Sequence, residues 1–140
     1  MGYRYAALGG VLGAWARWAV GEVLPISPGA WPWATFLVNI TGCLFIGVLL
    51  AVLLARFPRS VRLRPFLAVG VLGGFTTYST FAVEAVRLTE GGHPALAAGY
   101  VLASVTGGVA AVVIGLLGGR AVVGRVDTVD AELRAGEGET

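Results

Sequence analysis

Apolar residues along the chain gather into four long runs, at about 4–23, 33–55, 65–88 and 95–118. Each is near the roughly 20 apolar residues that a helix needs to cross a bilayer. The connections "GEVLPISPGAWPW", "RFPRSVRLRP" and "TEGGHP" each carry proline or glycine and at least one charge. The runs are too long and continuous for barrel strands, so the pattern predicts an all-α membrane protein of four transmembrane helices. The third run is interrupted by "GGFTTYSTF" at 73–81, a string of glycines, hydroxyl residues and rings. Glycine and hydroxyl residues favour turns over helix interiors. The run is bracketed by Arg64 and Arg87, whose midpoint falls between Phe75 and Thr76. The third helix is therefore expected to break at the bilayer midplane. Non-helical backbone survives at that depth only when buried in protein or lining a polar site.

Composition sharpens this picture. The chain is 56% hydrophobic and 13% charged, against roughly 25% charged in a soluble domain. Mean hydropathy is +0.81. All ten basic residues are arginine; apart from Arg17 and those in the tail they sit at span ends or in loops rather than forming a surface stripe, which argues against a nucleic-acid partner and leaves the lipid bilayer as the surrounding medium. The single cysteine, Cys43, excludes an internal disulfide and reads as a small packing residue. The first run continues to Val23 without a small-residue cleavage site and reads as a retained span. The acids Asp127, Asp130, Glu132, Glu137 and Glu139 sit in the last fourteen residues. The chain thus divides into one four-helix unit at 1–120 and a polar, acidic tail at 121–140, expected to be exposed or disordered. Trp15, Trp18, Trp31 and Trp33 suit interfacial or near-interfacial depths.

Small residues organise the packing. Gly99, Ala103, Gly107, Ala111, Gly115 and Gly119 recur every four residues, and Gly9, Gly13 and Gly21 form a similar stripe with Arg17 on its line. Such stripes let backbones approach closely. Arg17 has two readings: it snorkels to the interface, or it lines a vestibule whose charge concentrates anions. Thr35 and Asn39 share a helix face; the asparagine either joins two helices or donates to a passing ion. Tyr100 and Ser104 share a face beside the glycine stripe, with Ser104 either bonded back to its own helix or facing a path. Glu84 faces water, pairs with Arg87, or faces a pore. His93 is a lone loop histidine with nothing nearby to make it a ligand or a base. Beyond the break, Tyr78 and Phe81 are spaced to project on one face, and ring edges carry partial positive charge. Ring edges, hydroxyls and an amide together suggest an anion path without full charges in its narrowest part.

The string "GGFTTYSTF", with "GGVLGAWARW" at 9–18 and "FLVNITGCLFIG" at 36–47, resembles the Fluc (CrcB) family of fluoride channels, over all four spans. The resemblance implies a fluoride-selective channel that exports fluoride passively across the prokaryotic cell (inner) membrane. It implies an antiparallel, dual-topology dimer with two pores at the subunit interface. A structural sodium ion is expected on the dimer axis, held by the main-chain carbonyls of Gly73 and Thr76. Fluoride-path residues are expected at Asn39, Tyr78 and Phe81, with Thr35, Ser79, Thr80 and Ser104 as a hydroxyl track and Arg17 at the vestibule. Tyr78 departs from the family's usual phenylalanine.

Two other functions fit parts of the pattern. A small proton-coupled multidrug antiporter wants a membrane-embedded acid in the first span, and Glu22, at the end of that run, is poorly placed. A non-conducting assembly factor would explain the glycine stripes but not the break. No Ser/His/Asp set, paired carboxylates or nucleotide loop points to an enzyme. The partner is left open by charge. With the N-terminus inside, Arg4, Arg56, Arg59, Arg62, Arg64, Arg120 and Arg125 fall on one side and Arg87 alone on the other. That bias favours one orientation, and so a related subunit of opposite orientation rather than a second copy.

Overall fold

The structure, a computed structural model, describes residues 2–57 and 60–137, without the side chains of 127 and 129–137. Arg59 of the arginine count and the side chains of the five tail acids lie outside the described residues. Helix α1 is Gly2–Val23 and α2 is Trp33–Arg56. A π-helical stretch, Arg64–Leu72, runs into a single turn, α3, at Gly73–Phe75. Helix α4 is Tyr78–Glu90 and α5 is Pro94–Glu137. No strand occurs among the described residues. Prolines mark the starts: Pro32 caps α2, Pro65 opens the π-helical stretch and Pro94 opens α5, where a missing N–H costs nothing.

Three helical segments are long and apolar enough to cross a membrane: Trp33–Arg56, Arg64–Glu90 across its interruption, and Pro94–Val126. The fourth expected span, α1, has 22 residues but is not among them; it carries Arg4, Arg17 and Glu22. Helical backbone continues beyond 118 to Glu137, through most of the segment expected as an exposed tail. The π-helical stretch is a feature the sequence pattern does not announce. Its wider turns still keep one apolar face, so periodicity alone hardly separates it from an α-helix.

The third helix stops at Thr76 and Thr77. Thr76 N–H still donates to Leu72 at 2.9 Å, and then ψ swings to 156° at Thr76 and φ to −146° at Thr77. Two extended residues separate α3 from α4. Thr77 then caps α4, its hydroxyl oxygen accepting from Thr80 N–H at 3.2 Å. A threonine N-cap meets one of the orphan amides of a helix start.

Two glycine-based seams hold the bundle. Along the first, α1 lies on the π-helical stretch and α3: a Cβ at Gly9 would collide with the backbone of Phe66 and lie 3.0 Å from Gly70 Cα, and one at Gly74 would lie 2.5 Å from Gly10 O. Along the second, α2 lies on α5, with Gly47 and Gly115 each against the other helix's backbone. Of the expected stripes, Gly115 and Gly119 sit in this seam, whereas Gly21 has open space around it. At one end, α4 packs on α5 through Leu88, Ala97 and Tyr100, with Trp31 and Phe36 edge-on nearby. Outside these contacts the large apolar side chains are exposed, among them Trp15, Trp18, Phe45, Leu102, Val109 and Ile114. That pattern suits lipid or protein surroundings, since bilayer tails are as apolar as leucine.

Candidate functional site

The interrupted helix organises two cavities, and Thr77 lines both. The first, of 370 Å³, is lined by Asn39, Gly73, Thr76, Tyr78, Phe81 and Ser104 with several apolar neighbours. It is called the aromatic cavity below. Tyr78 and Phe81 lie one turn apart with ring centroids 6.0 Å apart, and Phe81 also packs on Tyr100 at 5.2 Å. The Tyr78 ring is 82% exposed, so this wall has no cover within the single chain. Ser104 Oγ is buried and has no hydrogen-bond partner. Bonding back to its own helix is therefore not what this serine does. A buried hydroxyl without a partner is costly unless something else fills the vacancy.

Asn39 does more than reach toward a cavity. Its Oδ1 accepts from Thr77 N–H at 2.8 Å, and its Nδ2 donates to Thr77 O at 2.9 Å. The side-chain amide thereby pairs with both backbone groups of a residue that has left the helix. Of the two sequence readings of Asn39, joining helices is the one the geometry displays. The second N–H of the amide is not needed for this clamp and is available to the cavity that Asn39 lines.

The second, or polar, cavity of 290 Å³ is lined by Arg17, Thr35, Thr77, Thr80 and Glu84 together with apolar residues of α1 and α2. Arg17 does not snorkel outward: its Nη1 donates to Thr76 O at 3.1 Å, 59 residues away. The guanidinium thus satisfies a carbonyl freed by the break. Glu84 is 6% exposed, and its two oxygens accept from Thr35 Oγ1 and Tyr100 Oη, each at 2.8 Å. It neither faces water nor pairs with Arg87. Two hydroxyl donors on a buried carboxylate offset part of its desolvation. Tyr100 itself is fully buried.

The sequence-derived set therefore separates. Asn39, Tyr78, Phe81 and Ser104 meet at the aromatic cavity; Arg17, Thr35 and Thr80 meet at the polar one. Ser79 is exposed and lines neither; its hydroxyl lies 3.4 Å from that of Thr77. One residue, Thr77, and one set of contacts, those of Glu84, escaped sequence reasoning. Thr77 carried a usable signal, a threonine directly before a helix start, where hydroxyl N-caps are preferred. The joining of Glu84 to Tyr100 and Thr35 carried none, because their separations of 16 and 49 residues encode no local geometry.

The main-chain oxygens of Gly73 and Thr76 border the aromatic cavity through residues that line it. The amide that would close the next helical turn onto Gly73 belongs to Thr77 and is turned to Asn39. Thr76 O uses one lone pair on Arg17, and a carbonyl has two. Carbonyl oxygens are hard donors, unlike the thiolate and imidazole ligands that softer metals favour, and no cluster of three His, Cys, Asp or Glu exists among the described residues.

Residues 4–116 match the family described as CrcB-like protein, Camphor Resistance (CrcB). The chain belongs to the CrcB-like family. Among CrcB-like relatives, "Fluoride-specific ion channel FluC 2" of Streptomyces avermitilis is 46% identical over 98 residues, covering 70% of this chain and 62% of the relative. The FluC 2 protein of Nocardia farcinica is 46% identical over 109 residues, 78% of each chain. The FluC protein of Chloroflexus aurantiacus is 44% identical over 115 residues, 81% of this chain and 91% of the relative. The chain thus spans under two thirds of the Streptomyces relative but most of the other two. The CrcB-like match contains the whole interrupted helix and both cavities.

Proposed function

We propose that this CrcB-like chain is one subunit of a fluoride-selective channel that lets fluoride leave the cell passively across the cell membrane. The observation that carries the reading is the aromatic cavity: ring edges of Tyr78 and Phe81, a spare N–H of Asn39 and the unpartnered hydroxyl of Ser104 meet where no side chain carries a full charge. Such a wall offers a small hydrated anion enough donors to enter and too few to be trapped. The names of its relatives point to the same ion.

The exposed Tyr78 ring supports a dimer, since a second subunit would cover the open wall and complete the path. Four spans per subunit then include α1, whose arginine is turned inward onto Thr76, and the interruption at Thr76 and Thr77 lies at the bilayer midplane. A sodium ion would take, from each of two antiparallel subunits, the carbonyl of Gly73, whose helical donor Thr77 N–H is turned to Asn39, and the second lone pair of the Thr76 carbonyl. The chain's own residues do the rest: Asn39 fixes the break, and the rings and hydroxyls receive the anion.

The test is efflux from liposomes holding the purified chain, comparing fluoride with chloride under one ionophore-set voltage. Fluoride efflux far above chloride is expected; equal rates would end the reading. The arginine bias favours a related opposite subunit as partner. A topology reporter at the C-terminus, with efflux measured in the same cells, decides this: signal from both sides with full efflux from the chain alone would establish the homodimer instead.

A further inference from the structure

A third cavity with polar lining lies at the loop end of the bundle. It occupies 560 Å³ between the 26–32 segment, α4 and the turn at 91–93. Its polar lining is Ser27, Thr80, Glu84, Arg87 and His93. Ile26, Thr80 and Glu84 line the polar cavity as well, so the two spaces adjoin. Arg87 is exposed, and among the described residues no hydrogen bond or ion pair takes up its guanidinium. His93 is held against the 26–32 segment: Gly29 has φ +73°, and a Cβ there would lie 2.6 Å from His93 Nε2. That glycine gives the imidazole its place at the cavity wall.

We propose that this loop-end cavity is an anion-binding antechamber, in which Arg87 and His93 collect small anions and pass them by Thr80 to the polar cavity. The inference rests on the channel reading above. Arg87 offers five N–H donors, and an imidazole offers one when neutral and two when protonated. The only carboxylate on the wall, Glu84, has both oxygens engaged by Thr35 and Tyr100, which blunts its repulsion of an arriving anion. The 26–32 segment and the start of α5 bring no other charge, and Glu90 lines a different cavity on the outer face of α4 and α5. The solvent-facing charge at this mouth is therefore that of Arg87, with the engaged Glu84 carboxylate buried behind it and His93 as a further donor. A cleft whose accessible charge is positive raises anion capture rates by about tenfold at low salt.

The chain has one histidine, so its imidazole is a unique reporter. Full-length protein in detergent or nanodiscs is titrated with sodium fluoride against sodium gluconate, and the His93 imidazole resonance is followed by NMR. A saturable shift with fluoride is expected, weakened in Arg87→Gln. In liposomes, Arg87→Gln should lower efflux at limiting fluoride by about tenfold and leave the saturated rate in place, with the difference shrinking as inert salt rises. An imidazole indifferent to fluoride, with limiting efflux equal in Arg87→Gln and the unaltered chain, would overturn the antechamber while the channel stands. A fluoride-shifted imidazole in a chain that passes no fluoride would uphold the antechamber and remove the channel.

Discussion

The two cavities that meet at Thr77 are built on opposite principles. In the aromatic cavity donors are left over: Ser104 Oγ has no partner, and the Asn39 amide keeps one N–H. In the polar cavity donors are spent: Thr35 and Tyr100 serve Glu84, and Arg17 serves Thr76 O. The first is apolar but hungry for an acceptor, and the second is charged but internally satisfied. The lesson concerns stability as much as function. A hydroxyl that already holds a buried carboxylate contributes to the fold, whereas an orphaned one costs the fold something and is free for a ligand. Tyr100 and Ser104, one turn apart on α5, place the two cases side by side.

Four substitutions break or sharpen this contrast. Asn39→Asp acts on both cavities at once. It sets a carboxylate oxygen against Thr77 O and puts a negative charge beside the proposed anion path, with a repulsion of about 4 kcal/mol at 4 Å and an effective dielectric of 20. Fluoride efflux is expected to fall about 100-fold or more, with lower thermal stability in detergent; efflux within a factor of two of the parent would show that Asn39 is far from the anion. Phe81→Ile retains bulk and removes the polarised ring edge, an interaction of about 1 kcal/mol or more. Liposome efflux should drop about tenfold while the protein elutes as the parent does on size exclusion.

The remaining two separate the hydroxyls. Tyr100→Phe deletes one atom and strips a hydrogen bond from the buried Glu84 carboxylate. It should destabilise the chain by about 1.5–3 kcal/mol, read in reversible unfolding in mixed micelles. Ser104→Ala should leave stability unchanged or slightly raised, because no bond is lost, and slow efflux at low fluoride by about fivefold, the worth of one neutral hydrogen bond. If Ser104→Ala proved as destabilising as Tyr100→Phe, the distinction between spent and spare donors would collapse.

How much of this was legible beforehand depends on the range of each interaction. The interruption at Thr76 and Thr77 was readable from "GGFTTYSTF", since glycine and hydroxyl residues act on their own backbone. The face shared by Tyr78 and Phe81 followed from helix spacing. Arg17 was recognised as costly in an apolar run, but its target was not, because nothing local ties residue 17 to residue 76. Glu84 was left open among water, Arg87 and a pore for the same reason: its partners, Thr35 and Tyr100, come from two other helices.

By itself the sequence determined the all-helical, membrane-compatible character, the starts of helices at prolines, and the place where the third helix stops. These depend on backbone sterics, side-chain polarity and run length, which act over a few residues or over composition as a whole. Tertiary structure alone decided which freed backbone groups found which partners. Asn39 took both polar groups of Thr77, Arg17 took the carbonyl of Thr76, and Glu84 drew hydroxyls from two neighbouring helices. Buried polar groups must be satisfied, but the donor comes from whichever helix the glycine seams bring close, and that is fixed only once the backbones have packed.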